Sequence, residues 1–368
     1  MPLLPEGKII RETYEVERFM GEGAFAEVYR VKHRFLGRQA MKVFKRSGMT
    51  LPQIEEMLGE AIMLSKIGHP NIVRVFDANV VDGPNGILGY FTMENVAGGS
   101  LDKFWHSHGV YLIPIATTID ILKQVCRGLS VAHREKPPIV HRDIKPQNIL
   151  VGYEADGLRA RVSDFGLAKA VNPLTLLATA AGTLHFKPPE AFSHTKGDST
   201  AGDVWALGTT LYLLLTDQFP YRLSTEMGWG PNDAFDKGFT PASSVNPEVN
   251  QSLDRIIART LEKDPAKRFQ TAGDLLAALE SWKPGSELIP AKKKNYLGSE
   301  VSKPVLGAKI SQPDQSEAEK MAKNAISLKG EGRLHDAADV MEEAFNKWPD
   351  LRAKYEPQVK LWRCGISM

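Results

Sequence analysis

Apolar and polar positions alternate in steps of two from residue 14 to residue 45, "YEVERFMGEGAFAEVYRVKHRFLGRQAMKVFK", with glycines at one turn. That period predicts strands whose two faces meet different surroundings. The period then changes. In "LPQIEEMLGEAIMLSKIG" (51–68), Ile54, Met57, Leu58, Ala61 and Leu64 fall on one side of a helix. "HPNIVRVFDANVV" and "GILGYFTMENV" return to strand character. From Leu101 onward the pattern is mostly helical, with "IPIATTIDILKQVCRGLSVAHR", "SLDRIIARTLE" and "TAGDLLAALESW" as amphipathic candidates. "VWALGTTLYLLL" (204–215) is apolar all round and too short to span a bilayer, so it predicts a helix buried inside a lobe. The expected class is α+β, a small β-rich unit followed by a larger α-rich one.

At Pro284 the periodicity stops. "KPGSELIPAKKKNYLGSEVSKPVLGAKISQPDQ" mixes Pro, Gly, Ser and Lys without a steady repeat and reads as linker or extended chain. Helical spacing resumes near Ser316. "EAEKMAKNAISLKGEGRLHDAADVMEEAFNKWPD" (317–350) reads as helix, turn, helix, and Ala325, Leu328, Gly332, Ala337, Met341, Ala344 and Pro349 have spacings similar to one tetratricopeptide repeat. One such repeat cannot bury its apolar face. The hairpin must therefore dock on the preceding lobe, pair with another chain by self-association, or await a protein partner. The expected divisions are an extension at 1–13, a β-rich lobe at 14–96, an α-rich lobe at 97–283, a linker at 284–315 and the helical extension at 316–368.

Composition narrows the classes. A chain of 368 residues exceeds what one core usually holds. A net charge of +2 gives no general attraction to nucleic acid or an anionic membrane, and "AKKK" reads as a solvated stretch. Cys126 and Cys364 stand far apart and match no metal or redox spacing, which fits a reducing compartment. The first residues lack a signal peptide's basic-then-apolar pattern.

The candidate chemistry lies where polar residues interrupt apolar runs. Gly21 and Gly23 in "GEGAFAEVYRV" permit a tight strand-to-strand turn whose amides can approach a phosphate. The helix-opening dinucleotide fingerprint does not fit, because Val28, Tyr29 and Val31 continue a strand. On the next strand, Lys42 sits among apolar neighbours and needs an anionic partner; Glu60 is available. "IVHRDIKPQNIL" (139–150) places Asp143, Lys145 and Asn148 in one short loop. Phosphoryl transfer to a hydroxyl needs a proton acceptor, a cation near the moving phosphoryl, and oxygen ligands for magnesium. These three residues can supply those functions, with Asp164 of "VSDFGLAK" as a second oxygen donor for a hard cation.

Taken in order, "GEGAFAEV", "AMK", Glu60, "HRDIKPQN", "DFG", "PPE" and "DVWALG" resemble the eukaryotic-type (Hanks-type) serine/threonine protein kinases over residues 14–283, with features of bacterial members. The resemblance implies the two-lobed kinase fold, α+β in class, with the helical extension appended. It implies ATP and Mg2+ as cofactors, with Mn2+ as a possible substitute, and proteins with Ser or Thr acceptors as substrates. Lys42 would hold the α- and β-phosphates and be steadied by Glu60. Asp143 would orient and deprotonate the acceptor hydroxyl, Lys145 would meet the γ-phosphate, and Asn148 and Asp164 would hold the metal. Met93 takes the gatekeeper place, with Glu94 and Val96 presenting backbone groups to adenine. Val28, Ala40 and Leu150 would enclose the ring. Glu190 would pair with Arg268.

The departures are small. Ala26 replaces the third loop glycine, "AMK" stands for "AIK", "PPE" for "APE", and Phe186 for a tyrosine. None removes a reacting group. Lys145 and Thr183, the latter expected to bond to Lys145 and Asp143, resemble the serine/threonine rather than the tyrosine kinases. Segment 168–186 contains no acid to neutralise Arg142, so autophosphorylation at Thr175 or Thr179 is one expectation; unmodified packing of "PLTLLATAA" is the other. With no membrane span in the sequence, a cytoplasmic protein is expected. The alternative function is a kinase-fold scaffold acting through its C-terminal helices.

Overall fold

The structure, a computed structural model, describes residues 2–367 except 24–25, 46–49, 51, 56–57, 60–66, 85, 109–110, 166–182, 193–198, 222–234, 237 and 285–314. The described residues form two compact units.

The first unit comprises Met1–Asn95 with Asp164 and Phe165. Its six strands are β1 (Ile9–Ile10), β2 (Tyr14–Glu22), β3 (Ala26–His33), β4 (Gly37–Phe44), β5 (Val75–Gly83) and β6 (Gly86–Glu94). They pair antiparallel in the order β1-β2-β3-β4-β6-β5. Alternation sorts the side chains. Tyr14, Val16, Tyr29, Val31, Met41, Val43, Leu88 and Tyr90 form the core of one face together with Leu4 and Ile10. Register puts Val28 opposite Lys42, and Ala40 opposite both Arg30 and Met93, so Val28, Ala40, Lys42 and Met93 share the other face. Residues 2–10, where the alternation offered no element, join this core: Leu4 is buried and its N–H donates to Tyr29 Oη at 3.0 Å. Of the helix expected at 51–68, residues 52–55 and 58–59 are helical, and Ile54 and Leu58 are buried as the spacing requires.

The second unit begins at Val96. Its principal elements are α1 (Leu101–His106), α2 (Ile115–Arg134), the hairpin β7 (Ile149–Glu154) and β8 (Gly157–Val162), α3 (Thr200–Thr216), α4 (Gln251–Thr260), α5 (Ala272–Ser281), α6 (Gln315–Gly330), α7 (Leu334–Lys347) and α8 (Asp350–Arg363). The expected buried helix is α3, in which every residue from Ala201 to Thr216 is buried. Ser199 caps its start by accepting from Gly202 N–H at 3.0 Å. Thr271 and Asp274 close a reciprocal capping box on α5.

The expected C-terminal hairpin is α6 and α7, and a third helix, α8, follows it. Ala322, Ala325, Leu328, Ala337, Ala338, Met341, Phe345, Val359 and Trp362 make one core with Tyr153 of β7. The apolar face that one repeat cannot bury is thus covered by α8 and by the lobe itself. Among the described residues, no helix is long and apolar enough to cross a membrane.

Candidate active site

In the first unit, Lys42 lies on β4, between β3 and β6, so its stem runs along an interior strand. Its ammonium needs a counter-charge there, and Asp164 supplies it: Lys42 Nζ lies 2.7 Å from Asp164 Oδ1. Glu60, the partner proposed from sequence, lies outside the described residues. Asp164 adopts φ 61°, a left-handed conformation unusual for a residue with a side chain, and Phe165 beside it is buried. The glycine turn sits at the end of β2, where Gly21 pairs with Val28 and Gly23 N–H donates to Ala26 O at 2.8 Å. Met93 is buried at the end of β6, and Glu94 N–H donates to Arg74 O at 2.9 Å.

In the second unit, the loop before β7 gathers Asp143, Lys145 and Asn148. Lys145 Nζ lies 2.8 Å from Asp143 Oδ2. Asn148 Nδ2 donates to the same carboxylate oxygen at 2.9 Å and to Asp143 O at 2.8 Å. Both amide protons are thereby used, and the amide oxygen is left as the group able to face a cation.

The loop is held from below by Asp203, at the head of α3. Its carboxylate accepts His141 N–H at 2.7 Å and Arg142 N–H at 2.8 Å. His133 Nδ1 accepts Ala272 N–H at 3.1 Å, so Nε2 carries the proton and donates to Asp203 at 2.9 Å. Burial alone would raise the Asp203 carboxyl; these donors overcome it and hold the group below the usual carboxylate range. The same reasoning fixes His141, whose Nδ1 accepts Asp143 N–H at 3.2 Å while Nε2 donates to Ser163 O at 2.8 Å. Arg142 sits between these anchors at φ 70°, and Lys187 Nζ donates to its carbonyl at 2.7 Å. A strained residue next to Asp143 is therefore fastened at both its N–H and its C=O.

The expected pair of Glu190 and Arg268 is present as a two-pronged contact, with both N···O distances 2.7 Å. The guanidinium also donates to Ala201 O and Lys263 O and lies over the Trp205 ring. Leu150 and Val96 both belong to this unit: Leu150 bridges to Ser100, and Val96 O accepts Gly99 N–H at 3.1 Å. Thr183 opens a short 3-10 turn, Thr183–Phe186, while Thr175 and Thr179 lie outside the described residues. Sequence reasoning did not single out Asp203, His133 or Lys187 as site residues. Only Asp203 left a signal, an acid at the head of the otherwise apolar "DVWALG".

The protein kinase domain family matches residues 14–278. A probable serine/threonine-protein kinase of Clostridium perfringens is 32% identical over 281 residues, 75% of this chain and 39% of that protein. The serine/threonine-protein kinase PrkC of Bacillus subtilis is 32% identical over 282 residues, 75% of this chain and 41% of its own length. For PknB of Mycolicibacterium smegmatis the identity is 31% over 278 residues, covering 73% and 43%. The chain thus spans about two fifths of the length of these curated relatives. Among solved structures, the PknI kinase domain of Mycobacterium tuberculosis superposes with a TM-score of 0.57 at 23% identity, over 75% of this chain and 98% of that one, a likeness of fold. With the family matching most of its length and the fold agreeing, this chain belongs to the protein kinase family.

Proposed function

We propose that the chain transfers the γ-phosphate of ATP, with magnesium, to serine or threonine hydroxyls of proteins. The observation that carries this reading is the Asp143 carboxylate held between Lys145 Nζ at 2.8 Å and Asn148 Nδ2 at 2.9 Å. A fixed carboxylate with one adjacent ammonium can accept a hydroxyl proton while the cation meets the transferred phosphoryl. Lys42 would neutralise phosphate oxygens, and Asp164, whose carboxylate lies 2.7 Å from the Lys42 ammonium, would bind a metal. The Asn148 amide oxygen and the Asp164 carboxylate are hard donors, which suits Mg2+, with Mn2+ as a substitute. When bound, that ion would neutralise charge building on the phosphate oxygens. Val28, Ala40, Met93, Glu94, Val96 and Leu150 are the residues proposed to receive the base. The serine/threonine names of the bacterial relatives, together with Lys145, favour those hydroxyls over tyrosine.

The test is transfer of labelled phosphate from Mg-ATP to a generic protein and to the chain itself. Asp143→Ala should lower turnover by about 10²–10⁴. Mass spectrometry of the self-modified product should find phosphate on Thr175 or Thr179. An unchanged rate in the variant removes the role given to Asp143. No transfer by the unaltered chain leaves a kinase fold that acts by binding.

A further inference from the structure

The C-terminal helices do more than cover an apolar face. They reach into the backbone that carries Val96 and Leu150. After Val96 the chain runs through Gly98 and Gly99 alongside β7. Val151 and Tyr153 send their N–H groups away from β8, toward this side. Val151 N–H finds Gly99 O at 2.8 Å. Tyr153 N–H finds no strand; its acceptor is Glu342 Oε2 of α7, at 3.3 Å. A buried sheet edge with an unanswered donor is costly, and here a side chain of α7 takes the place of the next strand.

The same helix fastens the other side of the crossing. Asn346 Nδ2 donates to Gly98 O at 3.0 Å. The approach is so close that a β-carbon on Gly98 would stand 2.2 Å from Val151 O and 2.8 Å from Glu342 Oε2. A β-carbon on Gly152 would stand 3.2 Å from Val96 Cγ1 and 3.5 Å from that same oxygen. Glu342 is itself anchored, accepting from Arg363 Nη2 at 2.8 Å and Nε at 3.1 Å. Farther along, Arg352 lies over the rings of Phe104 and Phe345 and donates to Ser107 Oγ at 2.9 Å, which joins α8 to α1.

We infer that α7 is a built-in support for the segment Val96–Gly99 and for β7, and that Asn346 and Glu342 are positioning residues for nucleotide binding, acting through the Gly98 carbonyl and the Tyr153 amide. The inference rests on the kinase reading above. An appended helical cap would hold the lobe together without preference for either substrate. A support for the backbone beside Val96 and Leu150 acts on ATP and leaves the protein acceptor alone.

The experiment compares the unaltered full chain with Asn346→Ala and Asn346→Asp, measuring KM for ATP, KM for a generic protein acceptor, and kcat. Hydrogen exchange is followed at residues 97–101 and 150–153. Alanine removes one hydrogen bond, and ATP KM should rise about threefold; aspartate sets a carboxylate against the Gly98 carbonyl, and the rise should reach about tenfold. The acceptor KM stays unchanged, and exchange at both segments quickens in the same order. Should the aspartate variant fail to fold, the alanine variant decides. A parent chain that binds ATP while both variants match its ATP KM overturns this inference alone. A parent chain that binds no ATP overturns the kinase reading and this inference together.

Discussion

Asp203 shows how one residue can set the geometry of another that it does not touch. Its carboxylate takes the N–H groups of His141 and Arg142 from the loop and the imidazole N–H of His133 from α2. Asparagine has the same shape but one acceptor oxygen, and its amide protons would face a donor. Asp203→Asn should therefore cost about 3 kcal/mol or more in denaturant unfolding and should slow phosphate transfer, because Arg142 is no longer held at positive φ beside Asp143. Because the native carboxyl titrates below its ordinary range, its contribution is complete above the unfolded pKa, declines as pH falls below that value, and is lost once pH has fallen through the lower, folded one. The difference in stability between parent and variant should hold steady from pH 5 to 8 and shrink in acid; a difference that grows in acid would reverse the assignment. The clustering of the proposed reacting groups was legible in the sequence, since Asp143, Lys145 and Asn148 lie in one loop and their spacing is local. Asp203, Lys187, Glu342 and Asn346 were not read, because each acts on backbone groups 45 to 248 positions away in the chain. The partner of Lys42 expected from the sequence, Glu60, lies outside the described residues, and the Asp164 carboxylate 2.7 Å from the ammonium was not expected there.

Among the elements, those with a strong period were legible: the strands β2 to β6, the amphipathic helices α2, α4 and α5, and the uniformly apolar α3. Helix α8 was not, as Pro357 lies inside it and its buried side chains are few, Arg352, Val359 and Trp362. Strand β1 is two residues long and too short to show a period. The contact of α7 with β7 carries its own prediction. Burial pushes the Glu342 carboxyl up from 4.5 to about 7, outweighing Arg363 and the Tyr153 N–H, which favour the anion; nearby Asp339 pushes the same way as burial. Arg363 keeps its charge in either case, as Asp339 lies 2.7 Å from it. Glu356, the other acid at Tyr153, is held below its usual range and stays ionised through this window. A carboxyl with a raised folded pKa contributes fully below its unfolded value and loses that contribution as pH climbs through the folded one. Unfolding of the α6–α8 region should thus become easier between about pH 4.5 and 7, by at most about 3 kcal/mol. Glu342→Gln should flatten that slope. Hydrogen exchange of α7 amides at pH 5.5 and 8 measures it, and an equal slope in parent and variant would refute the assignment.

For the whole molecule, the order of the motifs made the α+β kinase fold legible, while the docking of the C-terminal helices on their own lobe required the coordinates. Any ligand that binds only the native chain adds RT ln(1 + [L]/Kd) to its stability. At one hundred times its Kd, Mg-ATP should therefore add about 2.7 kcal/mol and raise Tm by several degrees. The proposed sites say what must abolish that rise. Lys42→Met removes the cation proposed to meet the phosphates, and chelation of divalent ions removes the partner proposed for Asn148 and Asp164. Either change should lose most of the shift. Lys42→Met also strips Asp164 of its counter-charge, which lowers the starting Tm, so the quantity to compare is the increment on adding nucleotide. An increment that is the same with and without divalent ions would separate nucleotide binding from Asn148 and Asp164. An increment retained in Lys42→Met would show that the ammonium on β4 serves Asp164 alone.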